Sequence, residues 1–86
     1  MTFIRTVAAM KPRDLIEEHQ LPRRVDKRLG AELVSRFFFP VAPRYLQKWP
    51  VPYRVMGRRS IYEVADLFEE AERRLNDAPL RRPEVT

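Results

Sequence analysis

The amino-acid sequence predicts a small, mostly α-helical domain that carries a small β-hairpin. Apolar residues recur at helical spacing before Pro40 and again in residues 64–75, which predicts two amphipathic helices. Between these helices, a proline-bounded turn leads into the short segment 43–48, and Gly57 divides two short strand-like segments. The predicted order is helix, turn, short helix, hairpin and helix, which is the layout of a winged helix-turn-helix.

The first helix is predicted from about Asp26 to Phe38. Asp26 is a suitable N-cap, and the apolar residues fall on one helix face, which consists of Leu29, Leu33, Val34 and Phe37. Gly30 lowers the helix propensity of the first turn, which leaves a later start at Ala31 open. Pro40 cannot continue the helix and ends it.

The middle of the chain predicts a short helix followed by the hairpin. Pro43 stands at the first helical position, where proline is favoured, and the helix is expected to end near Lys48. Segments 53–56 and 60–62 are the two expected strands. Gly57 between them supplies the left-handed backbone that a tight turn needs.

The last helix is predicted from Tyr62 or Glu63 to Asn76. Its apolar stripe consists of Val64, Ala65, Phe68, Ala71 and Leu75. The aromatic side chains expected in the core are Phe37, Phe38, Trp49, Tyr62 and Phe68. A core this thin has no room for a further aromatic ring, so we expect Phe39 to be exposed.

The chain of 86 residues predicts one folded domain, which we place at residues 26–78. Residues 1–25 are expected to form a partly flexible N-terminal arm, in which Pro12 begins one or two helical turns and Pro22 stops them. Residues 79–86 are expected to form a C-terminal tail.

The charge of the chain is unevenly distributed. Residues 1–28 carry seven basic and four acidic side chains, residues 29–60 carry six and one, and residues 61–86 carry four and seven. The net charges of these segments are +3, +5 and −3. An ordinary solvent-exposed surface would mix positive and negative charges, whereas a phosphate-binding surface backed by an acidic helix separates them. The middle segment therefore predicts double-stranded DNA as the partner.

The short second helix supplies the predicted base-reading residues, which are Pro43, Arg44, Tyr45, Gln47 and Lys48. Arg44 can donate two hydrogen bonds to guanine, and Gln47 can pair with adenine. Lys48 is expected to meet a phosphate. The role of Tyr45 is open between a DNA contact and packing.

The hairpin supplies a second set of predicted DNA contacts. Arg58 and Arg59 at its tip fit insertion along the minor groove, and Arg54 can support them at the backbone. The alternative for this arginine pair is a solvated turn, which is less favoured because the pair follows a candidate recognition helix. The further cations that can contact DNA phosphates are Arg23, Arg24, Lys27, Arg28 and Arg36.

The composition argues against an enzyme, a metal site and a bound cofactor. The chain has no cysteine, and its one histidine, His19, has no second metal ligand in view. The sequence contains no glycine-rich phosphate loop. The longest apolar run, residues 37–42, is broken by a proline and is too short to span a membrane. We therefore expect a cytoplasmic protein that does not enter the membrane.

Two segments, FFPVAPRYLQKWP and RVMGRRSIYEVADLFEEAERRL, resemble the excisionase-type winged helix-turn-helix proteins of the MerR-like superfamily. The resemblance extends from Leu29 to Leu75. Ala42 and Tyr45 depart from the family pattern, because a capping Ser or Thr and a small Thr are usual at these positions. The resemblance implies a recognition helix with Arg44, Gln47 and Lys48 and a wing with Arg58 and Arg59.

The subgroup that the chain resembles most is the recombination directionality factors of integrative and conjugative elements. Such proteins bind several sites beside an attachment site, bend the DNA, and help a tyrosine recombinase to excise the mobile genetic element. The resemblance thus implies DNA recombination with a tyrosine recombinase as partner. Head-to-tail self-association on DNA is also expected, with the basic N-terminal arm of one copy against the acidic helix of the next. Two alternatives stay open: a small winged helix-turn-helix transcriptional regulator, and a protein-interaction adaptor that does not bind DNA.

Overall fold

The computed structural model of the protein describes residues 11–83. Its helices are α1 (Pro12–Glu18), α2 (Lys27–Phe37), α3 (Pro43–Leu46) and α4 (Val64–Asp77). Its strands are β1 (Arg24–Asp26), β2 (Tyr53–Met56) and β3 (Arg59–Glu63), which form one antiparallel sheet in the order β1-β3-β2. The protein is therefore helical with a three-stranded sheet, where the sequence predicts only a two-stranded hairpin.

The β2–β3 hairpin confirms the strands expected around Gly57. Tyr53 of β2 pairs with Tyr62 of β3, and Met56 pairs with Arg59. Gly57 has a φ of +65°, the left-handed conformation that glycine adopts without a steric penalty. β3 extends one residue beyond the predicted segment at each end.

Strand β1 is the element that the sequence analysis does not predict. Val25 of β1 is buried and pairs with Tyr62 in the middle of β3. A strand of three residues is too short to show the alternation that identifies strands, and its pairing with a distant segment stabilises it. Strand β1 runs across the predicted domain boundary between residues 25 and 26, so the folded domain begins before Asp26.

Helix α1 also packs onto the rest of the fold. It begins at Pro12, as predicted, and Pro12 is buried. The half-buried apolar side chains of α1 that pack against the core are Leu15 and Ile16. After this helix, the carbonyl of Arg23 accepts a hydrogen bond from the backbone N–H of Val64 at 2.9 Å. The predicted arm is thus folded from Pro12 onward, and its residues 1–10 lie outside the described part of the chain.

The core lies between the sheet and helices α2, α3 and α4. Its largest fully buried side chains are Val34, Leu46, Tyr62, Val64, Leu67 and Phe68. The aromatic side chains that are half-buried at its edge are Phe37, Phe38 and Phe39. Phe39 contacts Trp49, with ring centroids 6.0 Å apart, which corrects the expectation that Phe39 is exposed.

The buried face of α4 differs from the predicted apolar stripe at two leucines. Leu67 is 1% exposed although the predicted stripe omits it, and Leu75 is 50% exposed although the stripe includes it. All buried residues of α4 lie at or before Ala71. Leu75 lies one turn beyond them, so its place in the helical period does not bury it.

The N-terminus of α2 is fixed by a side-chain cap. The carboxylate of Asp26 accepts a hydrogen bond from the backbone N–H of Leu29 at 2.9 Å. The helix begins at Lys27, which confirms the predicted N-cap and excludes the later start at Ala31. Gly30 lies within the helix and allows α2 to pack closely against α4. A Cβ atom at this position would lie only 2.8 Å from a side-chain carbon of Leu67.

Candidate nucleic-acid interface

The turn between α2 and α3 is held by one hydroxyl group. Ser35 donates to the carbonyl of Val41 at 3.1 Å and accepts from the backbone N–H of the same residue at 3.0 Å. Helix α3 then begins at Pro43, as predicted, and ends at the fully buried Leu46. Trp49, which is 9% exposed, anchors the chain after α3. The exposed side chains between these anchors are therefore held on a fixed backbone.

The predicted base-reading side chains around α3 are exposed to solvent. The helix ends earlier than predicted, so Gln47 and Lys48 lie in the turn that follows it. Tyr45 is 50% exposed, which excludes a core packing role. The Arg44 guanidinium lies 5.0 Å from the centroid of the Tyr45 ring, and the Lys48 ammonium lies 5.8 Å from it. These contacts hold two positive charges against one exposed ring.

A hydrogen bond joins α2 to the segment after α3. The ammonium Nζ of Lys27 donates to the amide Oε1 of Gln47 at 2.8 Å. Lys27 is the first residue of α2 and is half-buried. The sequence predicts only a phosphate contact for Lys27, because no local pattern indicates a partner twenty residues away.

The hairpin approaches the same end of α2. The guanidinium Nη1 of Arg59 lies 3.8 Å from the carboxylate Oδ2 of Asp26, the residue that caps α2. Arg54 and Arg58 are exposed, and neither has a carboxylate within salt-bridge distance among residues 11–83. The start of β3, next to the hairpin turn, therefore lies beside the N-terminus of α2. Within residues 11–83, at least two of the three hairpin arginines keep an uncompensated charge.

These contacts connect the predicted recognition segment with the predicted wing. Gln47 is bonded to Lys27, Lys27 follows Asp26 in the chain, and Asp26 is paired with Arg59. We call the connected set the basic surface, which comprises Lys27, Arg44, Tyr45, Gln47, Lys48, Arg58 and Arg59. Asp26 is the acidic residue that these contacts bring to this surface, and its carboxylate is shared between the cap and Arg59.

Three of the cations predicted to contact DNA phosphates are not brought to the basic surface. Arg23 and Arg24 both bond to the carboxylate of Glu63, at 3.3 and 2.6 Å. The hydrogen bond from Arg24 holds the pKa of Glu63 below its ordinary value. The Arg36 guanidinium lies 5.2 Å from the centroid of the Phe37 ring, near the end of α2 opposite to its capped N-terminus.

The acidic residues of α4 are partly compensated within the helix. Glu70 accepts hydrogen bonds from both Arg73 and Arg74, and Arg73 also reaches Asp77. Arg74 in turn lies over the Trp49 ring, 4.8 Å from its centroid. These four groups balance one another in charge, whereas Asp66, Glu69 and Glu72 leave α4 with a net charge of −3.

Between residues 11 and 83, no three or more His, Cys, Asp or Glu side chains are grouped so that they could hold a metal ion. None of the helices in that range has both the length and the apolar character needed to cross a membrane.

The chain was also compared with known proteins. No model of a protein family, no curated protein and no solved structure matches it.

Proposed function

We propose that this protein binds double-stranded DNA as a winged helix-turn-helix. In this assignment α2 and α3 are the helix pair, and the β2–β3 hairpin is the wing. The observation that carries the proposal is the continuity of the basic surface from α3 to the hairpin, through the Lys27–Gln47 hydrogen bond and the Asp26–Arg59 ion pair. Such continuity supports simultaneous contact with two neighbouring stretches of DNA backbone.

The chemistry of the exposed side chains supports the same assignment. Arg44 can donate two parallel hydrogen bonds to the O6 and N7 atoms of guanine in the major groove. Lys48 beside it is suited to a phosphate, and Tyr45 holds both cations in place. Arg58 at the hairpin tip has no carboxylate within salt-bridge distance among residues 11–83, and it suits the negative potential of a narrow minor groove.

Within this class, we propose the role of an excisionase or recombination directionality factor. The resemblance of residues 29–75 to that family supports this role. The protein would bind beside an attachment site, bend the DNA, and promote excision by a tyrosine recombinase. No separate observation favours the regulator or the adaptor, and both are outcomes of the test below.

The test is a gel-shift titration and footprint on attachment-site and promoter fragments. Wild type is compared with Arg44→Ala and with Arg81→Ala, which removes an equal charge from the exposed C-terminal tail. We expect an extended, cooperative footprint beside the attachment site that is lost in Arg44→Ala and kept in Arg81→Ala. A circular-permutation gel shift should show bending of the same fragment.

Three other results would contradict parts of this proposal. A single short protected site at a promoter would indicate a transcriptional regulator. Equal losses of affinity in Arg44→Ala and Arg81→Ala would remove α3 from the DNA contact. The absence of salt-sensitive binding to any fragment would leave the protein-interaction adaptor and exclude DNA binding.

A further inference from the structure

We infer that Lys27 and Gln47 form one recognition unit that favours guanine over adenine at a single base pair. The inference rests on the proposed DNA binding and adds to it a base preference. It differs from the pairing with adenine that the sequence suggests for Gln47, since it takes into account the side chain that meets Gln47 in the structure.

The orientation of the Gln47 amide is fixed by its partner. Lys27 Nζ lies 2.8 Å from Gln47 Oε1, and an ammonium group has donors but no acceptor. The amide oxygen must therefore face Lys27. The amide NH2 group then points away from Lys27 and can donate to another partner.

The backbone of Lys27 is itself held in place. Lys27 is the first residue of α2, and the Asp26 carboxylate caps that helix through the N–H of Leu29. The Lys27 side chain is half-buried, so part of its length is confined by the fold. The ammonium is thus presented at a defined place beside Gln47.

The two purines differ at the atom that this unit would meet. Both offer N7 as an acceptor in the major groove, but guanine adds the acceptor O6 whereas adenine adds the donor N6. A free glutamine can match adenine because its oxygen accepts from N6 while its nitrogen donates to N7. Here an adenine amino group would have to share Oε1 with the Lys27 ammonium, whose positive charge disfavours a second donor at that oxygen.

Guanine meets no such conflict. Its O6 can accept from Lys27 and its N7 from the Gln47 amide, so both acceptors are satisfied by the same pair of side chains. The Lys27 ammonium also adds a favourable charge–dipole interaction with the acceptor edge of guanine. The geometry therefore makes Lys27 a specificity determinant that acts partly through Gln47.

The experiment measures base preference by selection from randomised duplex DNA, followed by competition with single-substituted duplexes. Lys27→Met removes the ammonium and keeps the apolar part of the side chain. Arg28→Met is the matched control, because it removes the same charge from the next, exposed residue of α2. The base pair that Gln47 contacts is identified as the position at which Gln47→Ala abolishes the base preference.

In wild type, we expect guanine to be preferred at that base pair. In Lys27→Met, we expect a shift towards adenine of about tenfold in relative affinity. In Arg28→Met, we expect weaker binding to every sequence and an unchanged base preference. Circular dichroism of each variant establishes that it is folded.

The inference is overturned if wild type prefers adenine at the position that Gln47→Ala identifies. It is also overturned if Lys27→Met and Arg28→Met have the same base preference, or if Gln47→Ala changes no preference. These results presuppose salt-sensitive DNA binding by wild type. If such binding is absent, the proposed function fails first, which separates the two failures.

Discussion

The cap of α2 gives a stability prediction that separates a hydrogen bond from a charge. Asp26→Ala removes the acceptor of the 2.9 Å hydrogen bond from the N–H of Leu29. Replacing an N-cap Asp with Ala typically costs about 1 kcal/mol of unfolding free energy. The ion pair with Arg59 adds little, because its atoms are 3.8 Å apart and the Arg59 side chain is 76% exposed.

Asp26→Asn is the matched control, since asparagine caps a helix about as well as aspartate but carries no charge. We expect Asp26→Ala to be less stable than Asp26→Asn by about 1 kcal/mol, which for a small domain corresponds to about 4–8 °C in melting temperature. Urea denaturation and thermal melting, both followed by circular dichroism, measure these differences. Equal destabilisation of the two variants would refute the cap as the source of the effect.

The same two variants separate stability from DNA binding. Both remove the negative charge that lies beside Arg59, so both should bind duplex DNA more tightly than wild type at low salt. The gain should be equal in the two variants, because it depends on the charge and not on the cap. A gain in only one of them would contradict this electrostatic reasoning.

Two other predictions concern the core and the effect of pH. Leu67→Ala should lower the unfolding free energy by about 2–5 kcal/mol because Leu67 is 1% exposed. Leu75→Ala should lower it far less, because Leu75 is 50% exposed. Urea denaturation of both variants measures these changes, and similar losses would contradict the described packing of α4. The hydrogen bond from Arg24 depresses the pKa of Glu63 in the folded state, so its stabilising effect is present above the ordinary pKa of 4.5 and is lost as the pH falls through the depressed value. Urea titrations below pH 4.5 should therefore show a shallower loss of stability in Glu63→Gln than in wild type, and identical profiles would exclude this contribution.

The elements that could be predicted from the sequence are those defined by local chemistry. The hairpin around Gly57 is one example, because the turn requires a residue with positive φ and short β-prone segments flank it. The cap at Asp26 and the starts of α1 and α3 at prolines are others. In each case, the position of the turn or helix start is determined by a residue at that position or close to it in the chain.

The elements that could not be predicted depend on partners that are far away in the chain. β1 is stabilised by pairing with β3, and its three residues carry no pattern of their own. Leu67 is adjacent to the predicted core residue Phe68 in α4, and its own burial depends on the close approach of α2 at Gly30. The contacts of the basic surface are non-local as well, since Lys27 meets Gln47 across twenty positions and Asp26 meets Arg59 across the sheet.

The most direct test of the central claim is the salt dependence of DNA affinity, measured by fluorescence anisotropy with a labelled duplex. Lys48→Ala/Arg58→Ala removes two charges from the basic surface, including that of Lys48, the proposed phosphate contact, and Arg81→Ala/Arg82→Ala removes two exposed charges from the tail. Each lost phosphate contact reduces the slope of log K against log salt by about 0.9. We predict a reduction of about 1–2 for the first variant and a wild-type slope for the second. Salt-independent affinity of wild type, or equal reductions in the two variants, would contradict the claim that this surface binds DNA.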